Sequence, residues 1–174
     1  LMFRSAGIPT NRAELTVLFY RDAQPNVTFS ALVDRSCDYK IEKGEGYQLL
    51  GDFRDLPESK RAVLRNYLEG GAAQRDFAGL EELISSNSLL KYRIVLDSDI
   101  VMTMLPHLNF YRQSMRYLVS RQMLALERKN PAEAMRLFRL ADQLQESALN
   151  SDYIVGSLTA SSMESIRAGA VGTL

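Results

Sequence analysis

The pattern in this sequence most suited to binding a partner is a set of tyrosines and arginines on one predicted helix: Tyr111, Arg112, Arg116, Tyr117 and Arg121. Because Arg112 and Arg116 are four residues apart, a helix brings both to one face. Two guanidinium groups placed in this way can grip a carboxylate or a phosphorylated partner. The alternative is a solvated face whose arginines pair with Glu127 or with neighbouring helices. We take these five residues as the candidate partner-binding site.

Residues that usually bind metals or carry catalysis are scarce. His107 is the only histidine and Cys37 the only cysteine, so a structural zinc site, which needs three or four such ligands, is close to excluded. His107 follows Pro106 in the first turn of a predicted helix, and this favours an exposed or capping position over a catalytic one. Cys37 is predicted to be a small, semi-buried apolar residue.

Short motifs for calcium and dinucleotides are incomplete. Asp97 and Asp99 have the spacing of two calcium ligands, but the EF-hand glycine and closing glutamate are missing. Gly44 and Gly46 lack the preceding strand and the third glycine of a dinucleotide-binding loop. We therefore predict no cofactor, no metal and no catalytic residue.

Composition narrows the class of protein. The 174 residues are about the size of one domain. Lys plus Arg and Asp plus Glu number 21 each, so no global field favours nucleic acid, which we do not expect as a partner. No run of 18 apolar residues occurs, so no membrane span is predicted. The chain opens without the charged segment and apolar core of a signal peptide, and we expect any export signal or anchor to lie outside this sequence.

Proline and glycine divide residues 1–55 into short predicted elements. One helix is expected from about Arg12 until Pro25 stops it, and a second from Phe29 to Cys37. The glycines and mixed charges of residues 38–54 predict a loop, with one helical turn at Tyr47 to Leu50. This part of the single predicted domain is expected to be loop-rich.

Residues 56–174 are predicted to form the helical core. Asp55, Pro57 and Glu58 indicate a helix start, with a capping carboxylate, a first-turn proline and an acid three residues after the cap. Gly70-Gly71 either breaks the helix that follows or is a thin spot in one long helix.

Residues 89–96 contain strand-forming side chains but have no evident partner strand, so they are predicted to be a helix or an extended connector.

The strongest helical pattern runs from Pro106 to Lys129. Asn130-Pro131 then ends this helix and begins the next, because asparagine suits a tight turn and proline suits a first helical position. So short a connection makes the two helices antiparallel neighbours. The second helix is predicted to bury Ala134, Leu137, Phe138, Ala141 and Leu144.

A last helix is expected from about Asp152 to Ala168. Its apolar positions include Leu158, Met163 and Ile166, and Gly169 and Gly172 are predicted to end it.

The segment Ala134-x3-Phe138-x2-Ala141 resembles the second helix of a tetratricopeptide unit, in which small alanines permit close helix approach and phenylalanine fills the gap between hairpins. The resemblance covers about residues 115–145. The Trp or Leu-Gly signature, the closing proline and a second copy 34 residues away are missing. The resemblance implies an all-α fold of antiparallel helical hairpins, tetratricopeptide-like or a small right-handed helical array.

More loosely, Leu64 to Leu68, Leu105-Pro106 and the turn at Asn130 are similar to uncharacterised bacterial helical domains, which are often exported. That similarity implies no functional residues.

Three functions compete. The favoured one is a non-enzymatic helical-hairpin module that binds a protein or peptide, or pairs with itself. The second is an architectural domain of a larger exported or envelope protein. The third is an enzyme whose site uses carboxylates or tyrosines, and a deep polar pocket with shifted pKa values would distinguish it.

Overall fold

Eight helices make up the part of the chain that the computed structural model describes, namely residues 25–36, 43–51, 56–86, 90–92, 106–150 and 154–171. They are α1 (Val27–Ser36), α2 (Glu45–Gln48), α3 (Glu58–Glu69), α4 (Gly71–Asp76), α5 (Leu80–Ser85), α6 (Pro106–Glu127), α7 (Pro131–Leu149) and α8 (Ile154–Val171). Residues in these ranges form no strand. The prediction of an all-α fold is confirmed for them.

The two longest helices, α6 and α7, form the predicted antiparallel hairpin. Lys129 takes a left-handed conformation at φ 55° and reverses the chain. The Asn130 side chain then accepts a hydrogen bond from the backbone N–H of Glu133 at 3.2 Å, and Pro131 is the first residue of α7. The local sequence thus supplies both the turn and the cap of the next helix.

Helix α8 packs against both members of the hairpin. Met163 is fully buried there, whereas Leu158, predicted on the apolar face, is exposed. Of the two glycines predicted to end this helix, Gly169 lies inside it, and α8 runs to Val171, directly before Gly172. A single glycine lowers helix propensity by only about 1 kcal/mol, which its alanine neighbours offset in part.

Phe138 is also placed differently from the prediction. It is only partly buried, and the guanidinium carbon of Arg167 lies 4.8 Å from the centre of its ring. The predicted burial of Ala134, Leu137, Ala141 and Leu144 is confirmed. Phe138 lies at the margin of the α7–α8 contact, where an arginine covers its ring.

Gly70 breaks the helix, whereas the sequence alone allowed either a break or one continuous helix at Gly70-Gly71. Its backbone is extended at ψ 164°, α3 ends at Glu69, and α4 begins at Gly71. Gly79 has a φ of 79° and connects α4 to α5. Such a conformation is readily adopted by glycine because it has no Cβ.

The predicted start of α3 needs correction. Pro57 is the N-cap, without a capping side chain, and its carbonyl accepts the backbone N–H groups of Lys60 and Arg61. Pro57 therefore lies two positions earlier than predicted, at the N-cap itself, where its backbone is extended at ψ 153°. Asp55, the predicted cap, lies outside the described residues.

The remaining predictions agree in part. Helix α1 begins two residues before the predicted Phe29, and α2 lies two residues before the predicted turn at Tyr47 to Leu50. Leu90 to Tyr92 form neither helix nor strand, and the Lys91 carbonyl accepts the Asn26 N–H at 2.8 Å. This favours the connector over the helix for the described part of residues 89–96.

Several predictions fall outside the described residues: the helix near Arg12, and Cys37, Asp97 and Asp99.

The core follows the inner face of α6. The ring of Phe29 in α1 lies 5.9 Å from that of Phe110 and 5.2 Å from that of Tyr111. Met115 and Leu118 are fully buried one and two turns further along the same helix. Across the described ranges, every helix is too short or too polar to cross a membrane.

Candidate functional site

A cleft of about 620 Å³ opens among α1, α3, α4 and the residues just before α2. We call it the basic cleft and define it by six of its lining residues: Arg35, Lys43, Tyr67, Arg75, Asp76 and Ala78. It draws its charged side chains from three separate stretches of chain. Concave surfaces of this size, part apolar and part charged, are where proteins commonly bind ligands.

The two arginines of the basic cleft come from the last turns of two helices. Arg35 lies at the end of α1, and its Nη2 donates to the Ala78 carbonyl at 3.2 Å. Arg75 lies at the end of α4, is exposed, and forms no hydrogen bond or ion pair with the described residues. One guanidinium group is therefore partly committed and the other is available.

Asp76 is the single carboxylate among the described lining residues of the basic cleft, and two donors hold it. The Tyr67 hydroxyl donates to Asp76 Oδ2 at 2.6 Å, and Lys43 Nζ lies 3.4 Å from Oδ1. Burial, together with the hydrogen bond to Asp76, raises the pKa of Tyr67 well above its usual range. Tyr67 therefore stays protonated and acts as a hydrogen-bond donor.

The basic cleft carries a surplus of positive charge in a protein whose total charge is zero. Its described lining contains three cations, Arg35, Lys43 and Arg75, against one carboxylate, Asp76. The surplus of two charges gives the cleft a positive field, which is strengthened by the low-dielectric wall around it.

A second cleft, of about 430 Å³, lies where α3 and α4 meet the α6–α7 hairpin. We call it the paired cleft, and its charged lining residues are Glu69, Arg121, Arg128 and Glu133. Arg121 binds Glu133 at 3.0 Å, and Arg128 binds Glu69. Positive and negative charges balance, so this cleft offers no surplus to an ionic ligand.

Arg121 belongs to a wider ion-pair network that joins α5, α6 and α7. It contacts Glu81 of α5 as well as Glu133, and Arg136 reaches the same two carboxylates at 2.9 and 2.7 Å. The hydrogen bond from Arg136 lowers the pKa of Glu133. Arg121 also lies over the ring of Tyr117, 5.7 Å from its centre. These ion pairs therefore connect α5, α6 and α7 to one another.

The structure does not bring the five predicted partner-binding residues onto one exposed face. Tyr111 is 1% exposed and donates to the Leu90 carbonyl at 2.6 Å. Tyr117 is buried and stacks on Phe77 with ring centres 4.2 Å apart. Both aromatic rings therefore serve the core.

The three arginines of that set differ in their surroundings. Arg112 is exposed, whereas Arg116 is partly buried with its stem against Gly51, where an added Cβ would lie 2.8 Å from Arg116 Cγ. Arg121 belongs to the network just described. Glu127, the partner considered from the sequence, instead binds Arg65 at 3.2 Å.

His107 is 2% exposed, so its predicted exposed position is wrong. Its ring stacks on that of Tyr92, 5.1 Å away, because the connector at 90–92 covers the first turn of α6. Burial lowers the pKa of His107 to about 4. The residue is therefore neutral at physiological pH.

Sequence reasoning missed the basic cleft. Arg35, Lys43 and Arg75 are each unremarkable as single surface charges, and only tertiary packing collects them. Their distance in sequence left no periodic or motif signal that could have identified them. Among the ranges that the structure describes, no group of three or more His, Cys, Asp or Glu residues could hold a metal ion.

No protein-family model, curated protein or solved structure matches this chain. Function must therefore be inferred from the residues of the two clefts.

Proposed function

We propose that this protein is a non-enzymatic helical module that binds a protein or peptide partner in the basic cleft. The observation that carries this proposal is the surplus of positive charge in a concave, partly apolar surface. Arg75 has no partner among the described residues, and an available guanidinium group gains most from an incoming hydrogen-bond acceptor. The paired cleft lacks such a group because its arginines are already bound to carboxylates.

The state of Tyr67 and Asp76 supports binding rather than catalysis. Tyr67 has a raised pKa, so it is a poor proton donor to a reacting group and no nucleophile at neutral pH. Asp76 accepts from Tyr67 and contacts Lys43, which leaves it poorly placed as a general base. The pair is better suited to fixing the wall of the cleft.

We also propose that the α6–α7 hairpin is tetratricopeptide-like and acts as the scaffold of the module. Ala134 and Ala141 are buried between the helices, as close helix approach requires, and α8 packs on the pair as a third helix. The partial exposure of Phe138 weighs against a full tetratricopeptide unit. The ligand surface differs as well, since the basic cleft is built by residues that precede the hairpin.

Peptide selection on the intact protein tests the proposal. A phage-displayed library of random peptides would be selected against the wild type, and the dissociation constants of the enriched peptides measured by calorimetry. Ala78→Trp should weaken them at least tenfold, because the indole fills the cleft while every charge is kept. Ala132→Trp, at an exposed alanine of α7, is the matched control and should leave affinity unchanged.

Two results would contradict the proposal: a library with no enriched peptide, or equal binding by the wild type and Ala78→Trp. Circular dichroism melts would establish that both tryptophan variants keep the fold.

The face that carries Arg112 and Arg116 remains the alternative peptide site. Reversal of both charges, by Arg112→Glu with Arg116→Glu, should leave the selected peptides bound if the basic cleft holds them. Loss of binding in that variant, with binding retained in Ala78→Trp, would move the site to α6.

Self-association is the second candidate function, and exposed apolar side chains favour it. Met135, Leu149 and Leu158 are large and more than half exposed on α7 and α8. Exposed apolar side chains of this kind mark a contact between subunits where they lie in one contiguous patch. Light scattering distinguishes the two: self-association predicts a dimer mass that Leu158→Glu reduces to that of one chain, whereas a peptide-binding module alone predicts the monomer throughout.

A further inference from the structure

We infer that the basic cleft selects an acidic peptide segment, anchored by two neighbouring Asp or Glu side chains. This inference rests on the proposed function and specifies the chemistry of its ligand. It depends on the charges, the free donors and the volume of the basic cleft.

The charge of the cleft calls for two carboxylates. Lys43 and Asp76 lie 3.4 Å apart and offset one another. Arg35 and Arg75 then remain as two positive charges with no carboxylate partner among the described residues. One acidic side chain would leave a guanidinium group unpaired, whereas two neighbouring acids neutralise both.

The donors of the two arginines can serve two separate carboxylates. A guanidinium group has five N–H donors in a planar fork that matches a carboxylate. Arg35 uses one donor on the Ala78 carbonyl, and Arg75 uses none on the described residues. Because Arg35 belongs to α1 and Arg75 to α4, each presents its own fork.

Helix position alone accounts for only part of this arrangement. A basic residue in the last turn of a helix interacts favourably with the partial negative charge there, which explains an arginine at the end of α1. It does not explain why the second arginine, at the end of the six-residue α4, lines the same cleft.

The volume favours a stretch of peptide over a single small anion. A cleft of about 620 Å³ is large beside a single ordered water, whose share of liquid volume is about 30 Å³. Tyr67, Ala72 and Ala78 add apolar surface along which the methylene groups of a glutamate can lie. A lone inorganic ion would leave most of that surface uncovered.

The paired cleft provides an internal control. It also contains two arginines, Arg121 and Arg128, but each is bound to a carboxylate of the protein. Its predicted affinity for an acidic peptide is therefore low, and a variant at Arg128 should not affect binding.

The test uses the intact, nitrogen-15-labelled protein and four short peptides titrated by NMR. They share the frame Gly-Ser-X-X-Ser-Gly, with Glu-Glu, Glu-Gln, Gln-Gln or Gln-phosphoserine at the two central positions. Glu-Glu should bind at least tenfold more tightly than Gln-Gln, and at least about threefold more tightly than Glu-Gln. The chemical-shift changes caused by the Glu-Glu peptide should centre on residues 35, 43–44 and 72–78, and raised salt should weaken its binding.

Variants then assign the effect to the two arginines. Arg35→Gln and Arg75→Gln should each reduce the preference for Glu-Glu over Gln-Gln at least threefold, and Arg128→Gln should not change it. The inference is overturned by equal binding of Glu-Glu and Gln-Gln, or by a preference that survives in both cleft variants. Tenfold tighter binding of the phosphoserine peptide than of Glu-Glu would also overturn it, since the cleft would then select a phosphoryl group.

The outcome for the proposed function is separate. One outcome would overturn the inference and leave the proposed function standing. In it, peptides from the random library bind the wild type but not Ala78→Trp, are not acidic, and bind Arg75→Gln as tightly as the wild type. If no library peptide and no acidic peptide binds, both are wrong.

Discussion

The Tyr67 hydroxyl donates to Asp76 Oδ2 at 2.6 Å, across the helix break at Gly70. This bond ties the last turn of α3 to the last residue of α4. At Gly70 an added Cβ would lie 2.8 Å from the Asn66 carbonyl oxygen, so the break is well suited to glycine. Tyr67 thus fixes the angle between two short helices and, with it, one wall of the basic cleft.

Gly46 is where α2 rests on Tyr67, and its substitution should loosen this wall. A Cβ at Gly46 would overlap Tyr67 Cβ, which is fixed to the backbone and cannot swing aside. Gly46→Ala should therefore cost about 1–3 kcal/mol of unfolding free energy, the usual range for overpacking. Gly44→Ala is the matched control, with nothing within 4 Å of its added Cβ, and should change stability by less than about 0.5 kcal/mol.

Urea unfolding of the two glycine variants makes the measurement. Equal stability of Gly46→Ala and the wild type would mean that α2 does not pack on Tyr67 in this way.

Arg121 should contribute more to stability than Arg128, although both bind glutamates. The Arg121 side chain is 28% exposed and bridges Glu81 and Glu133 from two helices, whereas that of Arg128 is 57% exposed and binds Glu69 alone. Arg121→Gln should cost about 1 kcal/mol, since Arg136 remains to hold both carboxylates. Arg128→Gln should cost much less.

Chemical denaturation at low and high salt compares the two arginine variants. Indistinguishable midpoints would show that the network on α5 and α7 does not depend on Arg121.

Local signals in the sequence identify the hairpin well. Asn130 and Pro131 specify a turn through capping and backbone geometry, and the stripe through Met115 and Leu118 specifies the buried face of α6. These features depend on residues within a few positions of one another. For that reason periodicity and capping rules are sufficient to predict them.

Packing between distant segments is what the sequence could not supply. His107 is buried because the connector at 90–92 lies over it, and Arg121 binds Glu81 from a helix 40 residues away. The same holds for the basic cleft, whose lining includes Arg35 of α1 and Arg75 of α4, two residues that are far apart in sequence. The predicted partner-binding set on α6 is divided for the same reason, because Tyr111 and Tyr117 are buried in the core and do not share an exposed face with Arg112.

Truncation of Phe138 to alanine should cost less unfolding free energy than truncation of its smaller neighbour Leu137. A fully buried phenylalanine costs about 3–5 kcal/mol when truncated to alanine, but Phe138 is only partly buried and has Arg167 over its ring. Phe138→Ala should cost about 1–2 kcal/mol. Leu137→Ala, at a fully buried site in the same turn, should cost about 2–5 kcal/mol.

Thermal and urea unfolding of both α7 variants show which of them loses more unfolding free energy. A larger loss for Phe138→Ala than for Leu137→Ala would mean that the α7–α8 contact is centred on the phenylalanine.

His107 should make the protein less stable as the pH falls from about 6.5 towards 4. Its pKa is about 4 in the folded chain and 6.5 when exposed, so the unfolded chain binds the extra proton throughout that interval. The stabilisation from keeping His107 neutral is complete above pH 6.5 and is lost as the pH falls through this window. At pH 5 the loss should be about 2 kcal/mol relative to pH 7.5.

His107→Phe keeps an aromatic ring against Tyr92 but cannot bind a proton, so the difference in unfolding free energy between wild type and variant isolates the histidine from the carboxylates. If that difference is the same at pH 7.5 and pH 5, His107 is not buried beneath the connector.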